Sequence, residues 1–257
     1  MIEKRDILFT PAGQTRTLHI WLPEGYAETD ERYPVMYFFD GHNLFSDGDA
    51  TYGKSWGFAD FLGRWEKPMI IVGIECSHEG NMRLVEYCPY HIRGGFLGEI
   101  DGTGAATLDW MVAELKPVID REYRTYGFRE ATGIGGSSMG GLMSLYGVIR
   151  HNGTFSKAAC VSSAISSCMP QLAREIDSCA LDPDTRVYLS WGTKEASRRK
   201  LEDDMQSAVA RNNTAIAQRL AQRGVNTRVI CQHGGRHCEA DWEKQVPGFM
   251  DYLWLDR

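Results

Sequence analysis

Residues 132–141 read TGIGGSSMGG and place a serine between two glycines, in the pattern Gly136-x-Ser138-x-Gly140. This pattern is typical of a nucleophile elbow, a sharp turn from a strand into a helix with the serine at its tip. Small residues flank the serine because a Cβ there would collide with the neighbouring strand or helix. The turn is expected to expose the Ser138 hydroxyl and to place the Met139 N–H beside it, at a helix N-terminus.

The residues around this stretch favour the elbow interpretation. Residues 131–135 form a short run of small side chains that suits a buried strand. Apolar residues then recur at helical spacing, at Leu142, Leu145, Tyr146 and Ile149. The alternative is a glycine-rich turn that packs tightly or binds phosphate at a helix N-terminus. Since no lysine follows the glycines, a Walker-type phosphate loop is disfavoured.

The overall composition is that of an ordinary globular protein. The chain has 257 residues, 43% of them hydrophobic and 24% charged, with a net charge of -6. This length suits one α/β domain over 1–257, and the mild acidity argues against nucleic acid as the main partner. No apolar run reaches the roughly 18–20 residues that span a bilayer, so we expect no membrane segment.

The N-terminus and the cysteines predict a cytoplasmic location. Residues 1–6 are charged and precede no apolar core, so they do not resemble a secretory signal. The seven cysteines are scattered, without a C-x-x-C pair, which favours reduced thiols.

Hydrophobic runs alternate with helical patterns, which predicts an α/β fold with a mainly parallel sheet and helices on both faces. Residues 6–10 and 15–22 are expected to form an antiparallel hairpin. About two dozen residues separate the strands near 161 and 187, which leaves no room for a lid. Further strands are predicted at 35–39, 69–74, 158–161, 187–191 and 227–231, and helices at 108–123, 200–223 and 241–253.

A serine hydroxyl needs a base, and in α/β-hydrolases the chain order is serine, acid, histidine. Three histidines follow Ser138. His151 ends the helix after the elbow and lies too close to fold back. His237, in a glycine-rich loop before the last helix, is favoured over His233, which is nearer the strand end. Cys231, His233, His237 and Cys238 match no common zinc pattern, so we expect no metal and no cofactor.

Glu195 is the preferred acid because it is the first carboxylate beyond the strand at 187–191. It would accept the imidazole N–H, fix the tautomer and stabilise the imidazolium. Asp203 and Asp204 are the alternatives, on the predicted long helix. Asp182 and Asp184 precede the strand and lie at its wrong end.

The second oxyanion donor is expected in the loop at 40–45, after the strand at 35–39. Gly41 permits a tight turn, and the next N–H, that of His42, can point into the cleft. Such a donor contributes about 3 kcal/mol in the transition state. The alternative is an ordinary Asp-Gly turn.

Three further residues are candidates for substrate contact. Trp56, Arg83 and Tyr87 follow the strands on the oxyanion side and could line an acyl or aryl pocket. Each aromatic is equally compatible with core packing. Arg83 and Glu86 could form a buried ion pair in the same wall, or both could be solvated.

The chain resembles the putative-esterase family of α/β-hydrolases, which contains esterase D, siderophore esterases, feruloyl and acetylxylan esterases, and the mycolyltransferases. The resemblance covers nearly the whole chain in order. The matching stretches are 33–45 (YPVMYFFDGHNLF), 52–57 (YGKSWG), R-x-x-E-Y-x-P at 83–89, 114–125, the elbow, 192–195 (GTKE) and GG-x-H at 234–237.

This resemblance implies an α/β-hydrolase fold with Ser138 as nucleophile, Glu195 as acid and His237 as base. The backbone N–H groups of His42 and Met139 fall on the oxyanion donors. The assignment agrees with the one made from the residues alone.

The expected function is a serine esterase that acts through an acyl-enzyme on a small or medium ester of the siderophore-lactone, carbohydrate or aryl type. Acyl transfer to an alcohol, thioester hydrolysis and a non-enzymatic binding role remain alternatives. The expected partner is this small-molecule ester, and the sequence leaves a homo-oligomer open.

Overall fold

The structure is a computed structural model that describes residues 1–93, 98–195 and 207–255. Within these ranges an eight-stranded sheet has the order β1-β2-β4-β3-β7-β8-β9-β10. Its strands are β1 (Ile2–Phe9), β2 (Gln14–Trp21), β3 (Val35–Phe39), β4 (Ile70–Ile74), β7 (Thr132–Ser137), β8 (Lys157–Val161), β9 (Arg186–Gly192) and β10 (Asn226–Gln232). A separate antiparallel pair consists of β5 (His91–Ile92) and β6 (Ile100–Asp101).

The sheet is parallel from β4 to β10 and antiparallel at its first edge. β1 and β2 form the predicted hairpin, with Ile2 opposite Trp21, and β2 pairs antiparallel with β4. All five residues of β3 and of β4 are buried. Continuous apolar strands of this kind are covered on both faces, as in α/β proteins generally.

Two apolar clusters cover the two faces of the sheet, and β3 supplies both. Val35, Tyr37 and Phe39 point into one cluster, whereas Met36 and Phe38 point into the other. This follows from the alternation of side chains along a strand.

The helices lie in the two layers that these clusters define. The first cluster includes side chains of α3 (Gly104–Trp110), α4 (Lys116–Glu122), α5 (Met139–Arg150), α6 (Met169–Ser178) and α7 (Ala208–Gln222). The second includes side chains of α1 (Phe58–Leu62), α8 (Glu239–Trp242) and α9 (Val246–Trp254). The fold is that of an α/β-hydrolase, as predicted.

The predicted helices differ from the observed ones mainly at interruptions. Where one helix is expected at 108–123, the structure has the end of α3 and all of α4, joined by a π-helical segment, Met111–Leu115. The closing helix is divided by a 3-10 turn, Glu243–Gln245, because a proline occupies the first turn of α9. Ser207 caps α7 by accepting a hydrogen bond from Ala210 N at 3.0 Å. Asp203 and Asp204 lie outside the described residues.

The connection from β8 to β9 belongs to the helical layer. It contains α6, which packs against α5 and α7 rather than over the carboxyl ends of the strands. A short helix, α2 (Met82–Glu86), and the β5–β6 pair follow β4, and sequence analysis assigned no element there.

No disulfide joins the seven cysteines, of which Cys76, Cys88, Cys160 and Cys168 are buried. Within the described ranges, no helix combines the length and the apolarity that crossing a membrane requires.

Candidate active site

Ser138 has the backbone conformation of a nucleophile elbow. It lies between β7 and α5 with φ 56° and ψ −119°. A non-glycine residue there costs about 1–3 kcal/mol, so the surroundings must hold it. Ser138 N donates to Val161 O at 3.0 Å, and Ser138 O accepts from Leu142 N at 3.1 Å and from Ala164 N at 2.9 Å.

The flanking glycines are required by close packing. A Cβ on Gly136 would lie 2.8 Å from the carbonyl carbon of Gly140. A Cβ on Gly140 would lie 2.9 Å from Phe39 Cβ. The strand, the helix and β3 therefore meet too closely for larger side chains, as the sequence pattern predicted.

His237 and Glu195 form a hydrogen-bonded pair at the same edge of the sheet. His237 Nδ1 lies 3.3 Å from Glu195 Oε2. The glutamate side chain is 7% exposed and the histidine side chain 43% exposed. The buried carboxylate therefore orients a solvent-accessible imidazole, and Nε2 remains available to act as a base.

The loops that carry this pair are bonded to each other. Thr193 N donates to Gln232 O at 3.1 Å, and Lys194 N donates to Gly235 O at 2.8 Å. Gly234 N donates to Thr193 Oγ1 at 2.8 Å. These bonds fix the acid loop against the histidine loop, although the two are about forty residues apart in sequence.

Ser162 and Trp242, which sequence analysis missed, hold Glu195. Ser162 Oγ donates to Glu195 Oε1 at 2.6 Å and accepts from Trp242 Nε1 at 2.8 Å. The Trp242 ring packs edge-on against His237, with centroids 5.1 Å apart. The position of Ser162 directly after β8 is a signal that could have found it, because the carboxyl ends of parallel strands share one edge.

Ser138 and His237 line a common cleft of about 620 Å³, together with His42, Arg83 and Trp242. Within the described residues, no side-chain hydrogen bond engages Ser138 Oγ, so the hydroxyl is available to other groups in the cleft. Catalytic hydrogen bonds commonly tighten only once substrate is bound.

The two backbone N–H groups predicted to be oxyanion donors belong to His42 and Met139. His42 lies in the 3-10 turn Gly41–Asn43, and Met139 is the first residue of α5. Neither N–H donates to another group in the described part of the chain. Gly41 passes so close to β4 that a Cβ would lie 2.3 Å from the carbonyl carbon of Gly73.

Arg83 holds the loop that contains Asp40 and His42. Arg83 Nε and Nη2 donate to the two Asp40 carboxylate oxygens, each at 2.7 Å. Burial alone would raise the pKa of Asp40, but the guanidinium outweighs burial and keeps the pKa below its ordinary value. Asp40 N donates to Tyr87 Oη at 3.3 Å. The turn before His42 is therefore anchored by charge and by backbone hydrogen bonding.

The substrate-contact candidates separate in the structure. Arg83 lines the cleft. Trp56 does not, because it is 3% exposed and stacks with Phe58 in the core, 6.1 Å between centroids. Tyr87 is also buried, and its hydroxyl accepts a hydrogen bond from Asp40 N. Trp56 and Tyr87 therefore follow the alternative of core packing and do not line the pocket as predicted.

Arg83 and Glu86 do not form the suggested ion pair. Arg83 pairs with Asp40, whereas Glu86 forms a buried ion pair with Arg16 and accepts from Ser77 N at 3.1 Å. Arg83 and Glu86, one helical turn apart on α2, thus hold the loops that contain Asp40 and Ser77.

The remaining candidates lie away from the His237–Glu195 pair. His151 pairs with Asp109 at 3.1 Å, beyond the far end of α5. Asp184 pairs with Arg129 at the amino end of the strands. Among the described residues, donor atoms of possible metal ligands converge at His42, Cys76 and His78, and not at 231–238.

The chain matches a known protein family over nearly its whole length. The model of the family described as "Putative esterase" matches residues 10–252. The uncharacterized protein YbbA of Bacillus subtilis is 22% identical over 245 residues, covering 93% of this chain and 92% of that protein. The chain therefore belongs to the Putative esterase family, and it is an esterase.

Solved structures show the same fold. An IroE-like serine hydrolase from Shewanella oneidensis has a TM-score of 0.78 at 22% identity, over 100% of this chain and 81% of that one. The enterobactin esterase FES from Shigella flexneri has a TM-score of 0.73 at 16% identity, over 100% of this chain and 59% of that one. At these identities the likeness concerns the fold.

Proposed function

We propose that this esterase hydrolyses carboxylic esters through an acyl-enzyme on Ser138, with His237 as the base and Glu195 as its orienting acid. The observation that carries the proposal is the strained Ser138 in one cleft with a histidine whose Nδ1 faces a buried carboxylate. Each component comes from a different loop at one edge of the sheet.

In the first half of the reaction, Ser138 Oγ attacks the ester carbonyl and its proton passes to His237 Nε2. The carbonyl oxygen becomes an oxyanion that accepts from the N–H groups of His42 and Met139. The imidazolium, stabilised by Glu195, then protonates the alkoxide as the C–O bond breaks. The products of this half are a free alcohol and an ester on Ser138.

In the second half, His237 takes a proton from water as the water oxygen attacks the acyl-enzyme carbonyl. The imidazolium then returns that proton to Ser138 Oγ as the acyl C–O bond breaks, which releases the acid and regenerates the enzyme. Hydrolysis is favoured over acyl transfer because the imidazole is 43% exposed, so water reaches the base readily. Product analysis with an added acceptor alcohol separates the two: an alkyl ester product would identify a transferase.

The cleft suits a polar ester. Besides Arg83 it presents His42, Asn43, Ser77 and the exposed Tyr52, so hydroxyl and carboxylate groups of a substrate find hydrogen-bond partners. The Shigella neighbour is named an enterobactin esterase, which makes a siderophore-type lactone the first substrate to test. Hydroxylated aryl and carbohydrate esters have the same polar character.

The decisive experiment measures p-nitrophenyl acetate hydrolysis and fluorophosphonate labelling of wild type and Ser138→Ala. Loss of both, with an unchanged circular-dichroism spectrum, is expected. Retained turnover in the variant contradicts the assignment of the nucleophile.

A substrate panel follows on the wild-type protein. Acetyl, feruloyl and catecholate-trilactone esters, with matched thioesters, are compared by kcat/KM. The highest value is expected for a hydroxylated oxygen ester. A preference for thioesters would replace the proposed substrate class and leave the acyl-enzyme intact.

A further inference from the structure

Two histidines and a cysteine converge on one wall of the cleft. His42 lies in the loop after β3, and Cys76 and His78 lie two residues apart after β4. One donor atom of each lies within 4.8 Å of the others. Ligand atoms around a tetrahedral zinc ion are about 3.3 to 3.6 Å apart, so closure needs these separations to shorten by at most about 1.5 Å. The His78 side chain is 59% exposed, which leaves it room for such a shift.

One ring nitrogen of His42 is buried without a hydrogen bond. The residue is 6% exposed, and its Nδ1 has no hydrogen-bond partner among the described residues. Its Nε2 lies 2.9 Å from Thr51 Oγ1. A buried polar atom without a partner is costly and calls for a bound group. Nδ1 is the ring nitrogen left for a ligand.

Both histidines have the outer partner that metal-binding imidazoles have. Thr51 occupies Nε2 of His42, and Glu75 Oε2 lies 3.2 Å from Nε2 of His78. Such partners fix the tautomer and leave the other ring nitrogen available to a metal. The backbone between the two β4 ligands is held as well, because Ser77 N donates to the buried Glu86 at 3.1 Å.

We propose that His42, Cys76 and His78 form a binding site for a soft divalent cation such as Zn²⁺, and that the bound ion inhibits the enzyme. Two imidazole nitrogens and a thiolate are ligands that Zn²⁺ accepts, and three protein ligands leave a fourth position open toward the cleft. On binding, the Cys76 S–H bond breaks, an S–Zn bond forms, and the proton passes to solvent.

Inhibition follows from the position of His42. The N–H of this residue is a proposed oxyanion donor, so an ion on its imidazole lies beside the space that the ester carbonyl would occupy. Both His42 and His78 line the cleft that contains Ser138. This inhibitory part rests on the proposed function, whereas metal binding itself does not.

Binding is tested first, without any activity measurement. Co²⁺ added to the anaerobic, reduced protein is expected to give a thiolate-to-cobalt charge-transfer absorption and tetrahedral d–d bands. Cys76→Ser must abolish the charge-transfer band, and Cys238→Ser, beside His237, must keep it. A band lost only in Cys238→Ser, or no band in wild type, overturns the site.

Affinity and inhibition are then compared across variants. Zn²⁺ competition with a chromophoric chelator should show affinity weakened by at least about 10- to 100-fold in Cys76→Ser and His78→Gln. His91→Gln, an exposed histidine away from the cleft, serves as the matched control and should bind like wild type. Zn²⁺ inhibition, scaled to the uninhibited rate of each variant, should follow the same order.

Equal inhibition of wild type and Cys76→Ser would show that Zn²⁺ acts at His237 instead and would reject the inhibitory part. Unchanged affinity in both variants would reject the site itself. Ser138→Ala should retain the cobalt spectrum, which keeps failure of the metal site distinguishable from failure of the proposed catalytic function.

Discussion

The carboxyl and amino ends of the parallel strands are built differently. At the carboxyl end, Asp40, Ser138 and Ser162 directly follow β3, β7 and β8, and each has a positive φ, of 58°, 56° and 46°. Across the described ranges these are the non-glycine residues with positive φ. The strain of this sheet is therefore concentrated along the edge that carries the cleft.

At the amino end of the strands, hydrogen bonds around Asn152 connect the neighbouring segments instead. Asn152 Oδ1 accepts from Asp182 N at 2.9 Å, and Asn152 Nδ2 donates to Val148 O at 2.9 Å and to Thr185 Oγ1 at 3.0 Å. Arg129 Nε donates to Asn152 O at 2.6 Å. These bonds tie the C-terminal end of α5 to the segments before β7 and β9 without unusual backbone conformations.

The comparison indicates that one edge of the sheet is strained to position chemistry, and that the opposite edge stabilises the fold. Strain at a functional site persists only where the surroundings hold it. Equivalent substitutions at the two ends should therefore separate activity from stability.

The largest difference is expected for carboxylates. Glu195→Gln should lower kcat by about 10³- to 10⁴-fold, because an amide cannot stabilise the imidazolium as a carboxylate does. Asp184→Asn, the same change at the amino end, should leave kcat within about twofold. Steady-state kinetics on p-nitrophenyl acetate decide this, and similar losses in both variants would contradict the comparison.

Removing one anchor at each end should give comparable losses of stability but different losses of activity. Arg83→Ala leaves Asp40 buried without its partner and should lower the free energy of unfolding by about 2–3 kcal/mol. It should also lower kcat/KM, since the His42 turn loses its support. Urea denaturation and initial rates measure the two effects.

Asn152→Ala is the amino-end counterpart. It leaves Asp182 N without its acceptor and removes the bond from Asn152 Nδ2 to Thr185 Oγ1, which still accepts from Arg129 Nη2, so a loss of about 1–3 kcal/mol is expected. Its kcat/KM should match that of wild type at a temperature where both are folded. An activity loss as large as that of Arg83→Ala would show that the two ends are coupled.

A smaller effect is expected for the tryptophan that supports the acid. Trp242→Phe keeps the ring beside His237 and removes the donor to Ser162. It should lower kcat by about 10-fold and shift the acidic limb of the pH–rate profile, because Glu195 loses part of its orientation. Trp254→Phe, at the amino end, should change neither, and a shifted profile in that control would argue against a positioning role.

The smallest effect concerns Lys157. Burial lowers the pKa of this lysine from 10.5 to about 8, and the nearby charge of Arg186 lowers it in the same direction. Between these values the unfolded chain binds more protons than the folded chain, so this group makes the free energy of unfolding rise with pH. The rise should be about 1 kcal/mol from pH 8 to pH 10, after allowance for solvent screening.

The measurement is urea unfolding at several pH values, taken as the difference between wild type and Lys157→Met. The difference should increase with pH in that window, whereas kcat at pH 8 should be the same in both proteins. A flat difference would show that the lysine remains charged in the folded state.

The sequence alone was sufficient for the elements that local pattern controls. β3 has the predicted bounds, the β1–β2 hairpin is present, and Ser138 has the elbow conformation, because side-chain alternation, helical spacing and glycine packing act over a few residues. The order of elements also placed Glu195 and His237 at one edge, since parallel strands end together.

Only the tertiary structure decided which side chains meet across that edge. Arg83 pairs with Asp40 rather than Glu86, Trp56 packs in the core, and Ser162 reaches Glu195. The approach of His42 to Cys76 and His78 is of the same kind. These contacts join residues distant in sequence, and they depend on loop conformation and strand register, which no local pattern specifies.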